Sequence, residues 1–460
     1  MKLSRKGITP RSTGVNQLIY KLYFFCIPFG HIFNFPFNDA IHAYVPEYAV
    51  IFMLLGLAVL VSTSGIMFSK RLSKLWKLYG ICVLLSVVLS VALALNSDDL
   101  IESPFHAILG DVVLYLIFVL SVCYNSYSLT HTVRFKDLIP VLNLQLIILL
   151  IVGYLQFLAM RGMSLAENVY LTLCRVFALR DFTWISDLER GVTFFGTEVA
   201  SASLLCYLII PFNLVRIAST KGRTRFWYIL SLVLFSVLFL TSGSSSALIS
   251  FLIVVGCFAL LRFHFPVKAL MAGAFVAGMT IAILYSVSFG FGSRRDVDDD
   301  RSSFNYILAG KLFDTSNRST LTRASTVIND MRIFYDQPLI GCGNGNQGFY
   351  YNENVPAWMD ESDEVGIIRK TIPNGGGNFF PSYLSGFGIL GIIFLILFLT
   401  RYFKWMGNSI LVYDENLKEL FYLGMILFLV SSWYIIPLKQ SEAIAFLFCL
   451  PFIAMSKPKQ

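Results

Sequence analysis

Charge is scarce in this chain. Only 14% of its 460 residues are Asp, Glu, Lys or Arg, while 56% are hydrophobic. A soluble fold of this length could not hide so much apolar surface, so a soluble enzyme or binding module is excluded in favour of a polytopic membrane protein. Cysteine is sparse and scattered. The eight residues Cys26, Cys82, Cys123, Cys174, Cys206, Cys257, Cys342 and Cys449 show no metal-type spacing and mostly fall in apolar runs, which speaks against a zinc site or a disulfide framework. Histidine is rarer still, and none of the five lies in the longest polar stretch. The net charge of +8 belongs with basic loops beside a membrane and not with nucleic-acid binding. The basic start, Met1 to Arg11, is followed by no isolated apolar core with a small-residue cleavage site, so an uncleaved first helix is expected. There is no convincing internal repeat and no low-complexity tract.

What the chain has in abundance is runs long enough to cross a bilayer, which takes about 20 apolar residues. Twelve are expected, at about 17–35, 48–68, 76–95, 108–126, 138–159, 196–215, 226–242, 245–262, 267–289, 382–400, 417–435 and 440–456. The fold class that follows is an all-α, polytopic helical bundle. Residues 1–289 form a membrane domain of nine spans with a loop at about 160–195, 290–381 form one large loop, and 382–460 add three spans. Thr241–Ser244 alone separates spans seven and eight, which fits a tight hairpin. Alternate connections carry the basic residues, among them Lys70, Arg71, Arg134, Arg223, Arg262, Lys268, Arg401 and Lys418. The opposite short connections are acidic or neutral, with Asp39, Glu47, Asp98, Asp99 and Glu102. By the positive-inside rule both termini are expected in the cytoplasm and the two long loops outside, since long loops are translocated largely regardless of charge.

Both outward loops hold residues that can carry chemistry. The first ends in Arg190-Gly191-Val192-Thr193-Phe194-Phe195-Gly196-Thr197-Glu198 as the sixth span begins. A fixed guanidinium at Arg190 can clamp a pyrophosphate bidentately, though an interfacial arginine also snorkels to headgroups. In the large loop, Arg294 to Arg301 contains four aspartates, which read as a solvated charge run before a cation site. From Arg318 to Tyr335, Leu321, Ala324, Val327, Ile328 and Met331 recur at helical spacing, predicting a helix on the membrane surface. Arg318, Arg323 and Arg332 lie on it, as one or two members of a shared site or as ordinary surface arginines. Pro338-Leu339-Ile340-Gly341-Cys342-Gly343-Asn344-Gly345 predicts a tight turn. It is read as a plain surface turn, with amides at Gly341 and Gly343 able to face an anion as the sharper alternative. It is no dinucleotide fingerprint, because no βαβ unit surrounds it. Beyond Asn378, the glycines after Ser385 suit close helix packing. Asp111, Glu198, Lys439 and Glu442 map near the outward ends of spans, where ionisable groups are costly; Lys439 and Glu442 can pair with each other.

Taken in order, these pieces resemble the Wzy-type O-antigen polymerase and O-antigen ligase superfamily of bacterial inner membranes. They are Arg190-Gly-x-x-Phe, a Ser-Gly-Ser-Ser-Ser-Ala hairpin, Asn317-Arg-x-x-Leu, Asp336-Gln-Pro-Leu-Ile-Gly-Cys-Gly and Asn378-x-x-x-x-Tyr-Leu-x-x-x-Gly-x-x-Gly. The match covers roughly 186–250 and 316–395. The resemblance implies a metal-independent glycosyltransferase, needing no cofactor, that acts on undecaprenyl-pyrophosphate-linked oligosaccharide at the periplasmic face. It implies Arg190 and Arg318 as the functional arginines, with Arg323 second to Arg318. Glu198, Asp330 or Asp336 would be the base for the acceptor hydroxyl. Gly341, Gly343, Arg332 and Asn378 would touch substrate, and a chain-length regulator is a possible partner besides the lipids. Ligases of this superfamily carry a histidine beside the asparagine, where this chain has Gly377 and Asn378, which favours polymerase over ligase. The hairpin often carries an arginine where this chain has Ser246. A flippase would instead be expected to place charges deep in its spans and to have short outer loops.

Overall fold

The computed structural model describes residues 10–29, 48–63, 69–96, 104–176, 192–194, 199–242, 244–290, 314, 317–361, 363–370, 378–433 and 442–453. Among these the chain is all-helical and has no strand. In order, the main helices are α1 (Pro10–Cys26), α2 (Tyr48–Thr63), α3 (Leu72–Asn96), α4 (Pro104–His131), α5 (Ile139–Met160), α6 (Ser164–Val176) and α7 (Leu205–Ser219). They continue with α8 (Gly222–Leu240), α9 (Ser245–Arg262), α10 (Val267–Gly290), α11 (Arg318–Asp336), α12 (Phe379–Met406), α13 (Glu415–Ser431) and α14 (Glu442–Cys449).

Among the described residues, eight helices are long and apolar enough to cross a membrane: α3, α4, α5, α7, α8, α9, α10 and α12, several with slightly shifted ends. Of the other four expected spans, α1, α2, α13 and α14 are helices of 17 residues or fewer. Lipid is the only solvent that accommodates what the outer helices expose. Leu84, Val88 and Leu95 on α3 and Phe226, Trp227 and Val233 on α8 are all more than half exposed, a pattern that would aggregate in water. The centre is α13, apolar on every side. Leu420, Phe421, Leu423, Met425, Ile426, Leu427 and Phe428 are all buried, as a helix surrounded by other helices requires. It packs against α7, α9, α10 and α14.

The basic connections meet one another. Arg71, before α3, donates to the carbonyls of Pro451 (2.9 Å) and Asn408 (3.4 Å). Arg262 ends α9 and pairs with Glu419 of α13 at 2.7 Å. Gln17 donates to Thr132 O, and Tyr228 to Asn143 Oδ1. Each contact joins two helix ends flanked by Lys and Arg, so these ends share one side of the bundle. The Thr241–Ser244 hairpin forms as expected, with Ser244 capping α9 by accepting from the amide of Ala247 at 3.3 Å.

Candidate functional site

The large loop is built onto the bundle. Asn317 is the N-cap of α11, its side chain accepting from the amide of Thr320 at 3.2 Å, and Thr320 and Leu321 are both buried. The Asn-Arg-x-x-Leu motif is therefore first a helix start: a cap at Asn317 and an apolar anchor at Leu321. The helix expected here forms, but its apolar stripe is not spent on lipid. Leu321, Ala324, Val327 and Ile328 are 0–3% exposed, and α11 packs against α10 and α12.

Residues 341–347 overturn the expectation of a surface turn, while Leu339 and Ile340 before them stay exposed. Cys342, Asn344, Asn346 and Gln347 are buried. The segment enters the bundle and touches α3 well below its end. The amide of Asn344 donates to Ser86 Oγ at 3.1 Å, and Asn346 Nδ2 donates to Ser90 Oγ at 2.9 Å. Ser90 and Ser86 lie six and ten residues before Asn96, or about 9 and 15 Å down the helix at about 1.5 Å per residue. The turn is re-entrant, and Gly341, Gly343 and Gly345 all take positive φ to make it.

Buried backbone at such depth must find partners, and α12 supplies them by breaking. At Gly388 the helix leaves helical geometry (φ 56°, ψ −152°). The freed groups pair with the re-entrant strand of chain. Cys342 N donates to Ser385 O at 2.9 Å and Gly343 N to Gly386 O at 2.9 Å; in return Ile389 N donates to Pro338 O at 2.7 Å and Leu390 N to Leu339 O at 3.1 Å. The two glycine motifs are thus halves of one joint. The glycines after Ser385 serve approach of this loop, not helix on helix: a Cβ on Gly386 would stand 3.3 Å from Asn344.

Above the joint, α11 faces the start of α12 with a stripe at helical spacing, Arg323, Thr326 and Asp330. Asp330 is fully buried and accepts from Ser385 Oγ at 2.8 Å and Ser382 Oγ at 3.2 Å. Burial outweighs these two hydrogen bonds and pushes its carboxyl up from 3.8 to about 7. Asn378 is the N-cap of α12, buried, with Nδ2 3.5 Å from Thr326 Oγ1. Gln347 ties the layers together, donating to Ser382 O at 3.1 Å and accepting at its backbone carbonyl from Asn329 at 2.8 Å. Arg323 sits at the outer rim of the stripe, half-buried, with no carboxylate partner among the described residues.

The sequence candidates are therefore distributed as follows. Arg323, Asn378, Gly341 and Gly343 share the α11–α12 platform. Arg332 lies on α11 but two and a half turns from Arg323, so by register it does not share that face. Asp336 is exposed at the end of α11. The backbone of Arg318 opens α11. Arg190, Glu198, Lys439, the Arg294–Arg301 run and Gly377 fall outside the described residues. Among those described, no group of His, Cys, Asp and Glu gathers to hold a metal.

The segment after Arg190 is anchored. Gln156, buried in α5, accepts from the amide of Phe194 at 2.7 Å and donates to Thr193 Oγ1 at 2.8 Å and Phe194 O at 2.9 Å. Phe194 has φ 55° and stacks near Phe235 and Phe239 of α8. Sequence reasoning passed over Gln156, Ser86, Ser90, Ser382 and Ser385. Polar residues inside apolar runs were the available signal, with Ser86 and Ser90 one turn apart. No protein-family model matches the chain, and no curated protein matches it in sequence.

Proposed function

We propose that this protein is a membrane glycosyltransferase that polymerises undecaprenyl-pyrophosphate-linked polysaccharide repeat units, of the O-antigen kind, at the periplasmic face of the bacterial inner membrane. The observation that carries the reading is the platform itself. A re-entrant turn, a broken span and a docked helix together hold polar groups where the large loop joins the bundle, which supports this reading because broken spans commonly form substrate sites.

In this reading the acceptor hydroxyl attacks the anomeric carbon of the growing glycan. The bond from that carbon to the diphosphate oxygen breaks, and the electron pair leaves on the polyprenyl diphosphate. Guanidiniums suit the leaving group because they hold fixed charge where negative charge develops. Arg323, at the rim with no carboxylate partner among the described residues, is the described residue best placed for this, with Arg318 opening the same helix and Arg190 arriving from the other loop. Asp330 is less suited than Asp336 or Glu198 to take the hydroxyl proton, because both of its oxygens accept from serines and no surface reaches it. Its part is to hold α11 on α12. Both termini then lie in the cytoplasm, with the joined basic ends, and a chain-length regulator would meet the outer loops.

The test is a gel of lipopolysaccharide from a deletion strain complemented with wild type, Arg190→Ala, Arg318→Ala or Arg323→Ala. A core-plus-one-repeat band in place of the ladder is expected for the deletion, and a loss on the order of 100-fold in polymer for an arginine that stabilises the leaving group. Core with no repeat would point to the ligase or flippase step and would overturn the proposal.

A further inference from the structure

A cavity of about 1200 Å³ runs inside the bundle between α3, α4, α10, α12 and α13. It follows α12 from Phe379 to Met406, across the break at Gly388. Its walls are aromatic and aliphatic, with Phe275, Tyr383, Phe398 and Phe428 among them. Ordered water would find few partners there. The volume exceeds the roughly 300–1,000 Å³ of sites for compact ligands, and the shape is that of a slot. A hydrocarbon chain fills such a space.

The two ends differ in charge. Ser86 and Asn344 line the slot at the re-entrant turn, and no cation among the described residues lines it there. Lys268, Glu415 and Lys418 line it at the opposite end, among the basic connections. Lys418 is paired with Glu415 at 3.0 Å, whereas Lys268 is exposed and has no carboxylate partner among the described residues. One positive charge is left over at the mouth.

We propose that this slot is a phospholipid site: an anionic phospholipid of the leaflet at the basic end inserts a chain along α12 and sets its phosphate at Lys268. Charge complementarity fixes the direction. A diphosphate carrier threaded from the re-entrant end would find no cation lining the slot there. The assignment does not depend on the glycosyltransfer reading, because it uses neither the outer arginines nor any step of the proposed chemistry.

The experiment reconstitutes the full chain in phosphatidylcholine vesicles containing a trace of phosphatidylglycerol with a photoactivatable group in its chain. Cross-linked peptides are located by mass spectrometry. Label is expected on the α10, α12 and α13 segments that carry Phe275, Phe398 and Phe428. Lys268→Ala, a surface change, should lower it about fivefold, the effect of one lysine at an anionic surface. Leu399→Trp, which fills the slot, should abolish it. Equal labelling by a phosphatidylcholine probe, indifference to Lys268→Ala, or displacement of the label by a polyisoprenyl phosphate would each overturn the proposal, the last by giving the slot to the carrier lipid. If Leu399→Trp fails to fold, the Lys268→Ala comparison decides alone.

Discussion

Two carboxylates in this molecule are buried in nearly the same way. Asp330 accepts from Ser382 and Ser385; Glu442 accepts from Tyr23 at 2.7 Å and Ser121 at 2.8 Å. The surroundings separate them. Asp330 lies on the docked helix α11, one turn below Thr326 and two below Arg323, beside a backbone joint that needs glycine. Glu442 starts α14 between α1 and α4, in a cluster where Asn125 links Tyr20 to Tyr23 and the rings of Tyr20 and Tyr23 lie against Tyr124. The same hydrogen-bond chemistry thus closes two different junctions: a loop onto a broken span, and three helices onto one another. Burial alone does not mark a functional carboxylate.

The strongest way to break the comparison is to break the joint beneath Asp330. In Gly388→Ala the new Cβ would stand 2.6 Å from Leu339 C and Pro338 O, at a φ,ψ pair that only glycine adopts comfortably. The clash is with backbone, which cannot rotate away. Loss of several kcal/mol at the junction and loss of all polymer are expected, from roughly 4 kcal/mol upward as the mechanism is severe. Limited proteolysis should cut first near residues 338–347. A variant that resists protease like wild type would show that the joint is not what holds the platform.

The pH response comes next. Asp330 has its folded-state pKa raised from 3.8 to about 7. Between those values the unfolded chain has released the proton that the folded chain still holds, so stability falls as pH rises through the window and levels off above about 7. The ceiling on this loss is roughly 4 kcal/mol, at about 1.4 kcal/mol per pH unit. Asp330→Asn, which keeps an acceptor for one serine and offers a donor to the other, should match wild type near pH 5 and exceed it at pH 8. Thermal unfolding of the purified protein at the two values checks this. Parallel pH profiles for the two proteins would mean that Asp330 is ionised throughout and has a partner it does not show here.

How much of this was legible beforehand follows from the physics of each part. The helices α3 to α5 and α7 to α10 announce themselves because a span must be continuous and apolar. Helix α11 is legible for the same kind of reason, from Leu321, Ala324, Val327 and Ile328 at helical spacing with Asn317 ahead of them. The joint is not. Gly341, Gly343 and Gly388 show that the backbone needs positive φ in two places. Nothing local in sequence says that segments 43 to 51 residues apart supply each other's hydrogen bonds. The re-entry was hidden because Asn344, Asn346 and Gln347 look like surface residues; their amides are buried only because Ser86 and Ser90 wait for them on α3. Lys439, which can pair with Glu442, lies outside the described residues; the described partners of Glu442 are hydroxyls from α1 and α4, whose distance in sequence no spacing rule bridges.

The smallest expected effect sharpens the comparison from the other side. Glu442→Gln keeps the length and one acceptor oxygen, and the hydroxyls of Tyr23 and Ser121 can each accept as well as donate, so the amide finds partners for its oxygen and its NH2. A change within about 1 kcal/mol is expected, because no buried group is left unpaired. Glu442→Ala, by contrast, strands both hydroxyls and should cost about 2–5 kcal/mol. In both variants the polymer made per folded molecule should stay at the wild-type level, measured as ladder intensity against protein abundance. If Glu442→Gln instead loses polymer at normal abundance, then a carboxyl in the middle of three spans takes part in the work, and it would be the clamp between spans, not the platform, that holds the chemistry.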